Sequence, residues 1–331
     1  MKETARKSRL PVFDFLRALA ILYIVGIRHM DGYAGDIYHG RVDDVIAYSM
    51  LGLFVFISGY LLNRSHPVMR DRAQLGAFLG RRFLRIYPLY LVALLAFRLC
   101  SFVSPAEALQ HAVLLNIVLN SSAITLWFVS MLCVFYLLFP LINRSPTLLG
   151  AILVSAAFFA VVIGLKLAWK LVDVRVLIFY PLFLAGILAS RHSIVETWFP
   201  RIPFCLASSG FFLAASWLYF VVPRFRSAFL VLFMVSSLPA LFLLARLLTP
   251  RTPAPVYRAI AYASYGMYLF HHPVFTLMIR LYRPAGNVPT LLYLTALGIP
   301  LLVGVTYGIQ TVYDCLLPRG TGSAAISRRT V

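Results

Sequence analysis

Apolar runs of about 20 residues, separated by short charged or proline-containing stretches, recur along the chain from Phe13 onward. Crossing a hydrocarbon core of roughly 30 Å takes about 20 residues of helix. The pattern predicts about ten such helices, near 13–31, 43–63, 86–103, 124–143, 147–165, 174–190, 203–221, 228–248, 259–280 and 290–314. The Leu/Ile/Val/Phe runs are too long for barrel strands and lack period-two alternation, so helices are expected. The fold class is thus an all-α integral membrane bundle. One transmembrane domain is expected over residues 1–317, with a disordered cytoplasmic tail over 318–331.

Composition agrees. Hydrophobic residues make up 61% of the chain and charged ones 12%, against about 25% charged in soluble domains. The basic stretch Met1–Leu10 leads into the first span without a small-residue cleavage site, as in a retained cytoplasmic tail. The formal charge of +19 invites a nucleic-acid reading. Its distribution argues otherwise. With both termini cytoplasmic, inner segments carry about 19 Lys/Arg and outer ones about 9, the asymmetry of the positive-inside rule. No nucleic-acid partner is expected, whereas anionic membrane lipids are. Cys100, Cys133, Cys205 and Cys315 lack metal or redox spacing and read as small core residues.

The first span carries Asp14, Arg17, Arg28 and His29. A charge near the centre of a membrane helix costs roughly 2.5–3.5 kcal/mol, so such groups usually face a bundle interior or a wet cavity. The alternative leaves Asp14 and Arg17 at the headgroups and His29 as a cap. Asp14 and Arg17, at i and i+3, can share a helix face. A second cluster, Arg64, Arg70, Arg72, Arg81, Arg82 and Arg85, follows the second span. Arg81 and Arg85 share a face, and such a fork of guanidinium groups suits a polyphosphate as well as it suits lipid heads. His271 and His272 lie late in the ninth span, with Tyr268 one turn and Ser264 two turns back. Adjacent helical residues point about 100° apart, so joint chelation of a metal is not expected. With 11 Asp and Glu in all, neither a two-carboxylate mechanism nor a carboxylate-rich metal site is expected. Trp127, Phe135 and Tyr136 read as ordinary membrane aromatics.

Taken in order, these segments resemble the integral-membrane acyltransferase 3 family. FDFLRALAILYIVGIRH resembles its first helix, LGLFVFISGYLL its Phe-Phe-x-x-Ser-Gly helix and FLGRRFLRIYPLYL its Arg-Arg-x-x-Arg-Ile-x-Pro-x-Tyr signature. LWFVSMLCVFYLLFPLI, FYPLFLAGILASR and SYGMYLFHHPVF resemble the later Trp, Phe-x-x-Gly and Tyr-Leu-x-His motifs.

The resemblance implies a ten-helix bundle in a bacterial cytoplasmic membrane. It would move an acyl group, usually acetyl, from cytoplasmic acyl-CoA to a hydroxyl of a carbohydrate, glycolipid or small secreted acceptor. By motif, His29 matches the essential histidine and general base, Arg17 its partner, and Arg81, Arg82 and Arg85 the signature near the CoA phosphates. His271 aligns with the later histidine. Asp14 or Asp31 would orient the His29 ring, Tyr268, Tyr136 and Trp127 would line the acceptor path, and Ser58 is the hydroxyl for a covalent alternative. Acetyl-CoA is expected as co-substrate, without a metal. The rival reading is a glycolipid flippase or exporter using the same polar cavity.

Two departures stand out. The family spaces its first-helix Arg and His by ten residues, whereas Arg17 and His29 have eleven between them. On an ideal helix this puts the two about 120° apart, with Arg28 rather than His29 on Arg17's face. A π-bulge near Gly26 would restore the register. A glutamate usual in the Trp motif is replaced at Leu132 or Cys133.

Overall fold

A computed structural model describes residues 10–35, 40–66, 69, 71–119, 125–145 and 147–317. The Met1–Arg9 part of the N-terminal tail, Arg70 and the tail over 318–331 lie outside them. Every regular element among the described residues is a helix. The ten long ones are α1 (Pro11–Gly26), α2 (Arg41–Ser65), α3 (Arg72–Leu99), α4 (Trp127–Arg144), α5 (Leu148–Trp169), α6 (Arg175–Arg191), α7 (Ile202–Val221), α8 (Arg226–Leu248), α9 (Ala254–Leu281) and α10 (Ile299–Leu316). Each overlaps one expected apolar run. A helix Asn287–Tyr293 and a π turn Leu294–Gly298 run directly into α10.

Six segments among the described residues are long and apolar enough to cross a membrane: Arg41–Ser65, Trp127–Arg144, Leu148–Trp169, Ile202–Val221, Pro223–Arg251 and Asn287–Leu316. That is fewer than the ten expected. α1 and α6 have 16 and 17 residues, while α3 and α9, each of 28 residues, carry charged or polar groups along their length, arginines in α3 and both arginines and histidines in α9. A polar helix is tolerated in a bundle when neighbours cover its polar face. Three of the four helices that fall short carry the residues of the candidate site.

Side-chain contacts fix how the helices run. Arg28 meets Asp43 and Phe13 meets Tyr60, so α1 and α2 are antiparallel. Tyr48 meets Phe179 and Asn63 meets Ser190, so α2 and α6 run parallel. Arg17 with Ser264 and His29 with His271 make α1 and α9 parallel. α9 and α10 are antiparallel, through Tyr262–Asp314 and Gly266–Thr306.

α1 and α2 form the centre. Leu16, Ala20, Ile21 and Val25 of α1 are fully buried, as are Leu53 and Val55 of α2. α5 and α7 are peripheral and present apolar side chains such as Leu153, Leu167, Leu206 and Leu213 outward. That surface fits hydrocarbon and is ill-suited to water.

Two glycines set the closest helix pair. A Cβ on Gly59 of α2 would collide with the Phe183 carbonyl of α6. A Cβ on Gly186 of α6 would collide with the Phe56 carbonyl of α2. The Ser-Gly and Phe-x-x-Gly segments therefore interlock, as small residues do in membrane interiors.

Candidate active site

α1 begins with Pro11 in the first turn, where a missing N–H costs nothing, and Asp14 sits in that turn against the positive helix end. The helix stops at Gly26. Ile27 leaves the helical region (φ −126°, ψ −67°), and Arg28–Met30 form a 3-10 turn before the short helix Asp31–Ala34. The extra residue before His29 is thus absorbed by a helix end rather than by a π-bulge near Gly26. A Cβ on Gly26 would come within 2.8 Å of Ile299 Cδ1, so glycine lets α1 close on α10 here. The π turn lies in that partner segment, at Leu294–Gly298.

The turn is pinned beside His29. Arg28 pairs with the buried Asp43 and, at 3.1 Å, with Asp44. The Tyr23 hydroxyl donates to Asp43 Oδ1 at 2.6 Å. Arg28 therefore serves the turn.

His29 Nδ1 lies 2.8 Å from His271 Nε2, with the rings stacked at 4.8 Å between centroids. His271 Nδ1 is 2.8 Å from the Tyr268 carbonyl oxygen. A carbonyl only accepts, so Nδ1 of His271 carries its proton and Nε2 its lone pair. His29 Nδ1–H must then donate to that lone pair. The consequence is a chemically defined end: Nε2 of half-buried His29 is left with the free lone pair.

Arg17 takes a separate partner on the same helix. Its Nη2 donates to Ser264 Oγ at 3.0 Å. Ser264, Tyr268 and His271 form one stripe of α9, so the Arg17 and His29 contacts are separated by about 10 Å along the axis. Next to Ser264, Tyr265 donates to the Ile86 carbonyl at 2.8 Å and ties the stripe to α3 beside Arg85. Arg82 lies over the rings of Phe78 and Tyr136, at 5.8 and 5.9 Å. Among the described residues, Arg81, Arg82 and Arg85 have no carboxylate partner. Three adjacent guanidinium groups without a counter-charge are a standing invitation to an anion.

The other expected site residues are spread more widely. Tyr268 donates to the Thr125 carbonyl at 2.6 Å and packs on Phe128. Trp127 lies under the Arg175 guanidinium at 4.1 Å. Tyr136 joins the Arg82 cluster rather than the histidines. Ser58 donates to the Phe54 carbonyl of its own helix at 2.9 Å, an ordinary back-bond.

Sequence reasoning missed Tyr33, Tyr23 and Asp43, and gave His272 no part. The Tyr33 hydroxyl reaches His272 Nδ1 at 2.9 Å, the His272 carbonyl at 3.1 Å and Thr276 Oγ1 at 3.1 Å. The 100° stagger does not keep His271 and His272 apart, since their ring centroids are 4.3 Å apart. One ligand-capable atom from each of His29, His271 and His272 falls within 4.8 Å of the others.

The geometry thus sets a free imidazole lone pair two turns from the Arg17 contact, with the arginine cluster on the neighbouring helix. No curated protein and no solved structure matches the chain. A family model described as an acyltransferase domain matches residues 10–309, nearly its whole length. The chain therefore belongs to the acyltransferase 3 family.

Proposed function

We propose that this protein is a membrane-bound O-acyltransferase that moves an acyl group, acetyl by preference, from acyl-CoA to a hydroxyl of a carbohydrate or glycolipid. The observation that carries the reading is the chain Tyr268 carbonyl, His271, His29, which leaves His29 Nε2 as a base. A neutral imidazole is matched to taking a proton from a hydroxyl near pH 7.

In this reading all ten helices cross the bilayer with both termini cytoplasmic. The alternating directions of the contacting helices support that arrangement, and it puts the arginine-rich end inside. Acyl-CoA enters there, its phosphates on Arg81, Arg82 and Arg85. Arg17 holds the arm of the donor along the Ser264–Tyr268–His271 stripe, and the thioester meets the acceptor at His29.

The acceptor hydroxyl loses its proton to His29 Nε2 as its oxygen attacks the thioester carbonyl carbon. The C–S bond then breaks, the acyl–oxygen ester remains, and the imidazolium returns its proton to the departing CoA thiolate. His271 spreads the positive charge that His29 gains, because it accepts the Nδ1–H that becomes more acidic. Ser58 takes no part, its hydroxyl being held by its own helix.

Purified protein in vesicles, given acetyl-CoA labelled in the acetyl group and a bacterial glycan and glycolipid extract, tests this. Base-labile label in the carbohydrate fraction is expected. Transport of glycolipid without any label transfer would favour an exporter instead.

A further inference from the structure

Three imidazoles meet where α1 ends, and the base chain uses only two. His272 is buried to 93%, and its Nε2 has no hydrogen-bond partner among the described residues. Leaving such a nitrogen dry and unpaired is costly, and it wants explaining. The Tyr33 hydroxyl lies 2.9 Å from His272 Nδ1, 3.1 Å from the His272 carbonyl oxygen and 3.1 Å from Thr276 Oγ1. When that hydroxyl donates to the carbonyl, the ring's Nδ1–H donates to the hydroxyl oxygen and Nε2 bears the lone pair. His271 has Nδ1–H on the Tyr268 carbonyl and its lone pair on Nε2. An imidazole with its far nitrogen tied to an oxygen is held as metal-ligating histidines are.

We propose that His29, His271 and His272 form a binding site for a divalent transition-metal cation that prefers imidazole, with Zn²⁺ as its representative. An all-imidazole set suits zinc, copper or nickel and disfavours magnesium or calcium. The ligand atoms lie within 4.8 Å of one another. Zinc–nitrogen bonds of about 2.0–2.1 Å put tetrahedral ligand nitrogens roughly 3.4 Å apart. The gaps between the three ligand atoms therefore exceed that spacing by at most about 1.4 Å.

Metal binding and the hydrogen-bonded base are alternative states. The cation takes the lone pair of His271 Nε2 that now accepts from His29. To ligate beside it through Nδ1, His29 moves its proton from Nδ1 to Nε2, with no net proton released. The nitrogen that serves as base is then protonated. Zinc would therefore inhibit acyl transfer, a consequence that rests on the acyltransferase mechanism above, whereas the binding itself does not.

The test is Zn²⁺ titration of the purified, metal-stripped full chain against a chromophoric chelator, beside His272→Phe and His29→Ala, each checked for a monodisperse folded peak. One Zn²⁺ per chain is expected, weakened at least tenfold in either variant and unchanged in His192→Ala. Absence of stoichiometric zinc, or affinity unaltered in both variants, overturns the site. Transfer by the His272→Phe enzyme should persist and lose its zinc sensitivity. Zinc that binds with the expected dependence on both histidines but leaves wild-type transfer untouched would keep the site and remove His29 from the role of base.

Discussion

His29 and His271, 242 positions apart in the chain, share a 2.8 Å hydrogen bond in which the direction of the proton is fixed by the Tyr268 carbonyl. The bond decides which nitrogen of His29 is basic. Replacing His271 by Ala should leave His29 free to adopt either tautomer and orientation. One hydrogen bond is worth about 1 kcal/mol, so a fall in kcat of about fivefold is expected with KM for acyl-CoA little changed. Steady-state kinetics of His271→Ala would show the split; a rise in KM alone would assign His271 to donor binding instead.

Arg81, Arg82 and Arg85 should act on the donor. Charge-assisted hydrogen bonds contribute about 1.5–3 kcal/mol each, so replacing all three by Ala should weaken acyl-CoA binding by at least about 100-fold. Salt should mimic the loss in part. Unchanged CoA affinity by calorimetry in the triple variant would remove the phosphate site. Arg82→Lys should be costly too, because an ammonium cannot stack flat between Phe78 and Tyr136.

Much of this was legible beforehand, and the reason differs by feature. The apolar runs locate the helices because a backbone among apolar surroundings must pair its own N–H and C=O groups. The run near 43–63, for example, became Arg41–Ser65. The arginine-rich α3 extends back to Arg72 because its N-cap, Asp71, accepts from Gln74 N at 2.7 Å, a signal that hydropathy does not register. The His29–His271 bond could not be read from spacing, since residues on two helices meet only after packing. The register argument for Arg17 and His29 assumed an unbroken helix. The helix ends at Gly26, where an added Cβ would come within 2.8 Å of Ile299 Cδ1, 273 positions away.

Gly59 and Gly186 predict a stability effect separate from chemistry. Gly59→Ala or Gly186→Ala forces α2 and α6 apart against a backbone carbonyl. Overpacking of this kind costs about 1–3 kcal/mol. Thermal unfolding in detergent should shift downward for both, and less for Gly164→Ala, where nothing lies within 4 Å of the added methyl.

His111, in the helix Pro105–Ala112 between α3 and α4, gives a pH dependence. Burial pushes its imidazole down to about 4, with Tyr90 on its Nδ1 at 3.1 Å. Protonation therefore favours the unfolded chain. The stabilising contribution of the neutral ring is complete above its ordinary value of about 6.5 and is lost as pH falls from there toward 4. Thermal stability measured across that window should fall for the wild type and fall less for His111→Phe.

The most direct test is the rate at which His29→Ala transfers labelled acetyl from acetyl-CoA to the glycan and glycolipid fraction. A positioned general base contributes about 100- to 10,000-fold. The expected result is a loss of that size in kcat, with acyl-CoA still bound at wild-type affinity through Arg81, Arg82 and Arg85. Transfer at the wild-type rate by a folded His29→Ala enzyme would contradict it.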